Sequence, residues 1–236
     1  MTRAEGVIDI NADLGEGCPN DARLLELVSS ASVACNAHAG SLDAIRATLL
    51  KAKGKQVAVG AHPGFADRGG FGRIPQVMTS EEVARLVADQ VALLGTLCDE
   101  IGVPLLFVKP HGALYNQARN EANIAEGILS AIRGRDLPVL GQPGGVLEHL
   151  AAKAGVRFIA EGFPDRRYEI DGSLVARTRP DAVLETAEAI AEQAVRLAGQ
   201  GFLTLCVHGD DPHAVRNAEN VRAALLREGV SIRFWS

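Results

Sequence analysis

The feature that most constrains this chain is a repeat. Short runs rich in Val, Ile and Leu recur, each followed by a polar or glycine-rich loop and then by a stretch with helical periodicity. Seven such runs are read as strands: Val7–Asn11, Ser32–Cys35, Gln56–Gly60, Leu105–Lys109, Pro138–Gly141, Arg157–Ala160 and Phe202–Val207. Strands that alternate with helices are joined by crossovers and therefore run parallel. Runs such as VAVGA and FLTLCV are apolar at consecutive positions, as strands covered on both faces should be. The expectation is an α/β chain folded as a closed or nearly closed barrel of seven β/α units. An open doubly wound sheet is the alternative, because periodicity does not show closure. A length of 236 residues suits one such domain. Aromatic residues make up only 4%, so the core must be built from Ala, Val, Leu and Ile.

Helices are expected over 20–30, 41–53, 80–101, 121–133, 146–154, 181–198 and 212–228. The clearest start signal is Thr79-Ser80-Glu81-Glu82, where Thr79 can cap and Glu82 can return the bond. Gly54, Gly102, Gly134, Gly155 and Gly229 sit just past helix ends and suit left-handed caps. One segment, 166–179, breaks the rhythm and reads as an inserted hairpin or lid around Asp171-Gly172.

A formal charge of −5, with basic residues scattered, leaves no footprint for nucleic acid or a membrane surface. No run approaches the roughly 18 apolar residues of a bilayer span. The expected ligand is small. Cys18, Cys35, Cys98 and Cys206 form no CxxC pair, which argues against a zinc ribbon or disulfide framework and for a cytoplasmic protein.

In a parallel barrel the loops after the strands build the active site, so polar residues there carry the functional information. Asp9, Asn11 and Asp13 alternate along the first strand and should project into the barrel, with Glu16 just beyond. The second and third strands lead to His38 and His62, and the fourth to Lys109, His111 and Tyr115. The sixth delivers Glu161, and the seventh His208 with Asp210 and Asp211. Four of the six histidines thus fall at strand ends, whereas His149 and His213 lie in expected helices and read as surface residues. One such histidine would ordinarily be a hydrogen-bonded rim residue; four together indicate a site. Asp13 and Glu16 suit an acid, a base or a metal ligand, and equally a loop cap. Lys109 ends an apolar strand, where an ammonium must face a polar cavity or pair with Glu161 or Asp13. The stretch Arg68–Arg73 is glycine-rich and basic, fit to close over an anion with Arg73 gripping a carboxylate. No GxxxxGK[ST] occurs, and Gly15-Glu16-Gly17 does not continue as GxGxxG.

Taken in order, IDINADLGEG, SVACNAHAG, GAHPGF, GGFGR, VKPHGALYN, DRRYEIDGSL and CVHGDDP closely resemble the LamB/YcsF family, whose members are described as 5-oxoprolinase A subunits. The resemblance implies a seven-unit β/α barrel related to glycoside hydrolases and polysaccharide deacetylases. It implies ATP-dependent opening of 5-oxo-L-proline to L-glutamate, with ATP and Mg²⁺ as cofactors and subunits B and C as partners. On that reading Asp13 or a neutral histidine acts as general base, while Lys109 and members of the set His38, His62, His111 and His208 stabilise developing charge. Asp9, Asn11, Glu16, Arg73, Tyr115, Glu161 and Asp210 are expected around the substrate, Arg73 at its α-carboxylate. Two other readings stand beside it. One is a metal-dependent amidohydrolase or deacetylase, with Asp13, His38 and His62 holding a divalent ion. The other is a non-catalytic subunit that binds a lactam or carbohydrate. No tightly bound metal is expected on the first reading.

Overall fold

A computed structural model describes residues 6–177, 179–210 and 212–235. Thr178 of the inserted segment and Asp211 of the seventh loop lie outside the described residues. The chain begins with β1 (Val7–Leu14), α1 (Asp21–Leu24), β2 (Ser30–Ala34), α2 (Leu42–Lys55) and β3 (Ala58–His62). It continues through α3 (Ser80–Ile101), β4 (Leu105–Val108), α4 (Gly112–Ala118), α5 (Ala122–Ile132), β5 (Val139–Gly141) and α6 (Val146–Ala154). The last third holds β6 (Phe158–Gly162), α7 (Ala187–Gly199), β7 (Thr204–Val207), α8 (Ala214–Arg227) and β8 (Ser231–Ile232).

Neighbouring strands pair in chain order and in parallel from β2 to β7, and β1 pairs with both β2 and β7. The sheet therefore closes into a seven-stranded barrel surrounded by helices, and the open-sheet alternative falls. Closure leaves the seven strands no free edge. The short β8 lies beside Val7 and Ile8 on the flank of β1 opposite β7, at the amino end of the barrel. That end is plugged: Phe107, Leu140 and Ile159 form a buried cluster with Trp235, and Phe234 packs against it. Gly60 makes room for this plug, since a Cβ there would overlap the Phe107 ring, and the β3–β4 register shifts at the same point. The main core lies between barrel and helices and is dominated by Val, Leu, Ile and Ala.

Several expected boundaries move, among them these four. The helix expected over 20–30 is only α1, because Ser29 and Ser30 already belong to the entry of β2, where their hydroxyls donate to the Asp9 carboxylate. The third strand starts at Ala58 rather than Gln56, since Gln56 is the left-handed cap of α2, at φ 57°. Two helices, α4 and α5, connect β4 to β5 where one was expected over 121–133. Helix α7 begins at Ala187 instead of 181, capped by the Thr186 hydroxyl. The residues before it belong to the inserted excursion, pinned by antiparallel bridges Tyr168–Leu174 and Arg166–Val183.

Candidate active site

The alternation of β1 produces three stacked layers inside the barrel. Asp9 is deepest, accepting from the hydroxyls of Ser29, Ser30 and Thr204 at 2.6, 2.7 and 2.6 Å. Burial pushes its carboxyl up to about 6 although these donors oppose the shift. Asn11 lies one layer up, donating to Glu161 Oε1 at 2.9 Å and Thr204 Oγ1 at 2.8 Å. Asp13 reaches the upper layer and the cavity above it.

Lys109, at the end of β4, ties these layers together. Its ammonium meets Asp13 Oδ1 at 2.7 Å, Asn11 Oδ1 at 3.0 Å and Glu161 Oε1 at 2.9 Å, with Cys206 Sγ at 3.0 Å. An ammonium has three N–H groups, and its hydrogen bonds go to Asp13, Asn11 and the Cys206 sulfur, with the Glu161 carboxylate as an ion-pair partner. Burial opposes the charge, yet the anions of Asp13 and Glu161 hold the Lys109 pKa well above its ordinary value. Burial opposes the Asp13 carboxylate, but its neighbours His62 and Lys109 keep Asp13 well below the usual range. Glu161 Oε2 and the Tyr115 hydroxyl, both buried, have no hydrogen-bond partner among the described residues. Burial first, then Glu161, keeps that phenol protonated.

Beside this hub, Glu16, His38, His62 and His111 gather their ligand atoms within 4.8 Å of one another. They are the described group best suited to a metal ion, and a second such group joins Asp13, Cys206 and His208. His62 Nδ1 bonds the Lys109 carbonyl at 2.7 Å, and His111 Nε2 the Phe71 carbonyl at 2.8 Å. Phe71 sits at φ 55°, a left-handed conformation that aims this carbonyl inward. The His38 ring stacks on His111 with centroids 3.8 Å apart. Burial and neighbouring His62 push His38 down to about 3 and His111 to about 2, so both rings are neutral. Burial and the Asp13 charge push Glu16 up to about 7. Glycines allow the close approach: a Cβ on Gly64 would lie 2.8 Å from His38 Nδ1, and one on Gly72 2.8 Å from His38 Cβ.

Above this floor lies a cavity of about 680 Å³. Its side walls include Phe163, His208 and Asp210, and residues 173–177 of the excursion form another side. His208 Nδ1 meets Asp165 Oδ2 at 2.8 Å, while Phe163 stacks on the imidazole. That bond places the hydrogen on Nδ1 and leaves Nε2 an acceptor with no partner among the described residues. Burial would raise the Asp165 pKa, but His208 overrides it and keeps the carboxyl low. At the mouth, Arg73 is already paired with Asp210. Arg177 lines the same mouth, exposed, and makes no hydrogen bond or ion pair among the described residues.

The structure thus brings Asp13, Glu16, His62, Lys109, His111, Tyr115, His208, Arg73 and Asp210 to one cavity, with His38 behind His111. Asp9, Asn11 and Glu161 lie beneath it, inside the barrel, and do not line it. His149 sits within α6, and His213 caps α8. Three residues of the site were not among the sequence candidates: Asp165, Phe163 and Arg177. The rule that found the histidines also covers Asp165, which lies three residues past the end of β6. Arg177 gives no such signal, because it reaches the cavity only through the path of the excursion.

A LamB/YcsF family model matches residues 8–236. Among curated relatives, the 5-oxoprolinase A subunit of Histophilus somni is 39% identical over 95% of this chain and 97% of that protein. The protein of the same name from Methylococcus capsulatus is 42% identical over 95% and 94%. The crystal structure of the lactam utilization protein from Thermus thermophilus superposes with a TM-score of 0.90 at 38% identity, covering 97% of this chain and 99% of that one. A peptidoglycan N-acetylglucosamine deacetylase domain from Eubacterium rectale shares the fold alone, with a TM-score of 0.57 at 8% identity over 100% and 91% of the two chains.

Proposed function

The chain belongs to the LamB/YcsF family, and from that premise we propose that it is the A subunit of a 5-oxoprolinase, the component that holds 5-oxo-L-proline while its lactam is opened to L-glutamate. The observation that carries the reading is a pairing within one small cavity: a carboxylate-oriented imidazole, His208 on Asp165, and a guanidinium, Arg177, with no hydrogen bond or ion pair among the described residues. A 5-oxoproline molecule offers a carboxylate for the second and an amide carbonyl for the first. His208 Nε2 takes a proton from water as the water oxygen bonds to the lactam carbon. The C–N bond then breaks, and His208 returns the proton to the departing ring nitrogen. Asp165 holds the imidazole in the required tautomer. Lys109, with all three N–H groups engaged, acts as a positioning residue that keeps Asp13 ionised and in place.

Hydrolysis of an unstrained amide ring gains little free energy, which is the reason for coupling it to ATP. The cavity residues do not fit a nucleotide triphosphate. Its floor carries the carboxyls of Asp13 and Glu16, and the only ammonium there among the described residues is engaged. The amides of the glycine-rich loop are also used internally: Gly70, Phe71, Gly72 and Arg73 donate to Asp67 Oδ1, Arg68 O, Asp67 O and Gly70 O. We therefore assign ATP and its Mg²⁺ to subunits B and C, in the cytoplasm, where the four free thiols of this chain persist. The test mixes the purified chain with candidate B and C subunits and follows ADP release. Release should require this chain and 5-oxoproline together. Equal release when this chain is omitted would overturn the assignment.

A further inference from the structure

The two imidazoles on the cavity floor carry an unusual contact. His62 Nδ1 and His111 Nε2 both bond backbone carbonyls, which accept but cannot donate, so the hydrogen of each ring sits on that nitrogen. Neutral rings then present bare lone pairs at His62 Nε2 and His111 Nδ1, and these two atoms lie 2.9 Å apart. Lone pairs at that distance repel unless a positive centre sits close to both. A third acceptor, Glu16 Oε1, is 3.4 Å from His111 Nδ1 and 4.0 Å from His62 Nε2. Three atoms with these separations are equidistant from a point roughly 2.0 Å from each, which is a zinc–nitrogen or zinc–oxygen bond length.

We propose that Glu16, His62 and His111 bind a borderline divalent transition-metal ion of the zinc or cobalt type. The carbonyl bonds on the outer nitrogens are the support that metal-bound imidazoles ordinarily have. His38 is excluded from the ligand set by its own outer nitrogen. Its Nδ1 is buried without a partner, so binding through Nε2 would strand an N–H; donating Nε2–H to Glu16 Oε1, 3.2 Å away, strands only a lone pair. Asp13 Oδ2 lies 3.4 Å from His62 Nε2, but Asp13 falls outside the group whose ligand atoms all lie within 4.8 Å of one another. The ligand set expected from the sequence, Asp13, His38 and His62, therefore shifts to Glu16, His62 and His111. Two nitrogens and one oxygen suit zinc or cobalt and do not suit Mg²⁺, which prefers six oxygens. The bound ion is thus a different one from the Mg²⁺ that accompanies ATP. All three ligands line the cavity, so its remaining positions face water or a ligand oxygen.

The inference goes beyond the lactam reading, because it is measured by metal occupancy rather than turnover. The full chain, stripped with a chelator and dialysed, is titrated with Co²⁺ alone, followed by visible d–d absorption, and with Zn²⁺ alone by calorimetry. The expected result is about one equivalent per chain, with Zn²⁺ displacing Co²⁺ and excess Mg²⁺ displacing neither. Glu16→Gln and His111→Ala should each weaken binding by roughly 10–100-fold. His149→Ala, in a helix remote from the site, should leave it unchanged. Circular dichroism checks that the variants fold, and Glu16→Gln preserves side-chain shape. Absence of stoichiometric binding in the unaltered chain overturns the proposal in favour of a single proton shared between His62 and His111. Binding that survives both Glu16→Gln and His111→Ala overturns it as well.

Discussion

His208 and Arg177 do different work in the same cavity, and kinetics separates them. His208→Gln removes the imidazole that Asp165 orients, whose Nε2 has no partner among the described residues. In the assembled enzyme kcat should fall by about 10²–10⁴-fold with KM little changed. Arg177→Ala removes a group that grips the carboxylate equally in ground and transition states, so KM should rise with kcat nearly intact. A fall in kcat for Arg177→Ala with unchanged KM would place it elsewhere in the reaction. Of these two, His208 was legible in the sequence because a strand end announces its position. Its acceptor nitrogen was not, because only Asp165, brought alongside by the turn after β6, selects the tautomer.

At the scale of elements, β3 and β4 meet through a missing side chain. Gly60 faces the Phe107 ring at the shift in register between the two strands. Gly60→Ala should destabilise the fold by about 1–3 kcal/mol through overpacking. Denaturant unfolding should show a lower midpoint with unchanged slope; an unaltered midpoint would mean the ring moves aside freely. Boundaries set by local bonding were readable beforehand. The capping box of α3, with Thr79 and Glu82 bonding reciprocally, is one. Boundaries set by distant partners were not. Ser29 and Ser30 extend a helical pattern, yet Asp9 of another strand recruits both into the entry of β2.

For the molecule as a whole, the polar axis of the barrel makes stability depend on pH. The Asp9 carboxyl is raised to about 6 from an ordinary 3.8, so between these values the folded state binds its proton more tightly than the unfolded one. Its contribution is fully present below about pH 4 and is lost as pH rises through about 6, by up to about 3 kcal/mol. Asp9→Asn should remove this component, so the stability difference between wild type and variant should change over that window. A difference that stays flat from pH 4 to 7 would show that Asp9 does not titrate there. The sequence by itself determined the repeating β/α unit, the parallel sheet and the identity of the strand-end residues, because periodicity and glycine placement are local. It did not determine closure, since the pairing of β1 with β7 joins residues almost 200 positions apart. Nor did it determine which polar groups remain free for a ligand. Lys109 reads as an available cation until Asp13, Asn11 and Cys206 are seen to take its hydrogen bonds and Glu161 to pair its charge. Chemical type is written residue by residue, but availability depends on partners that only the closed barrel brings within bonding distance.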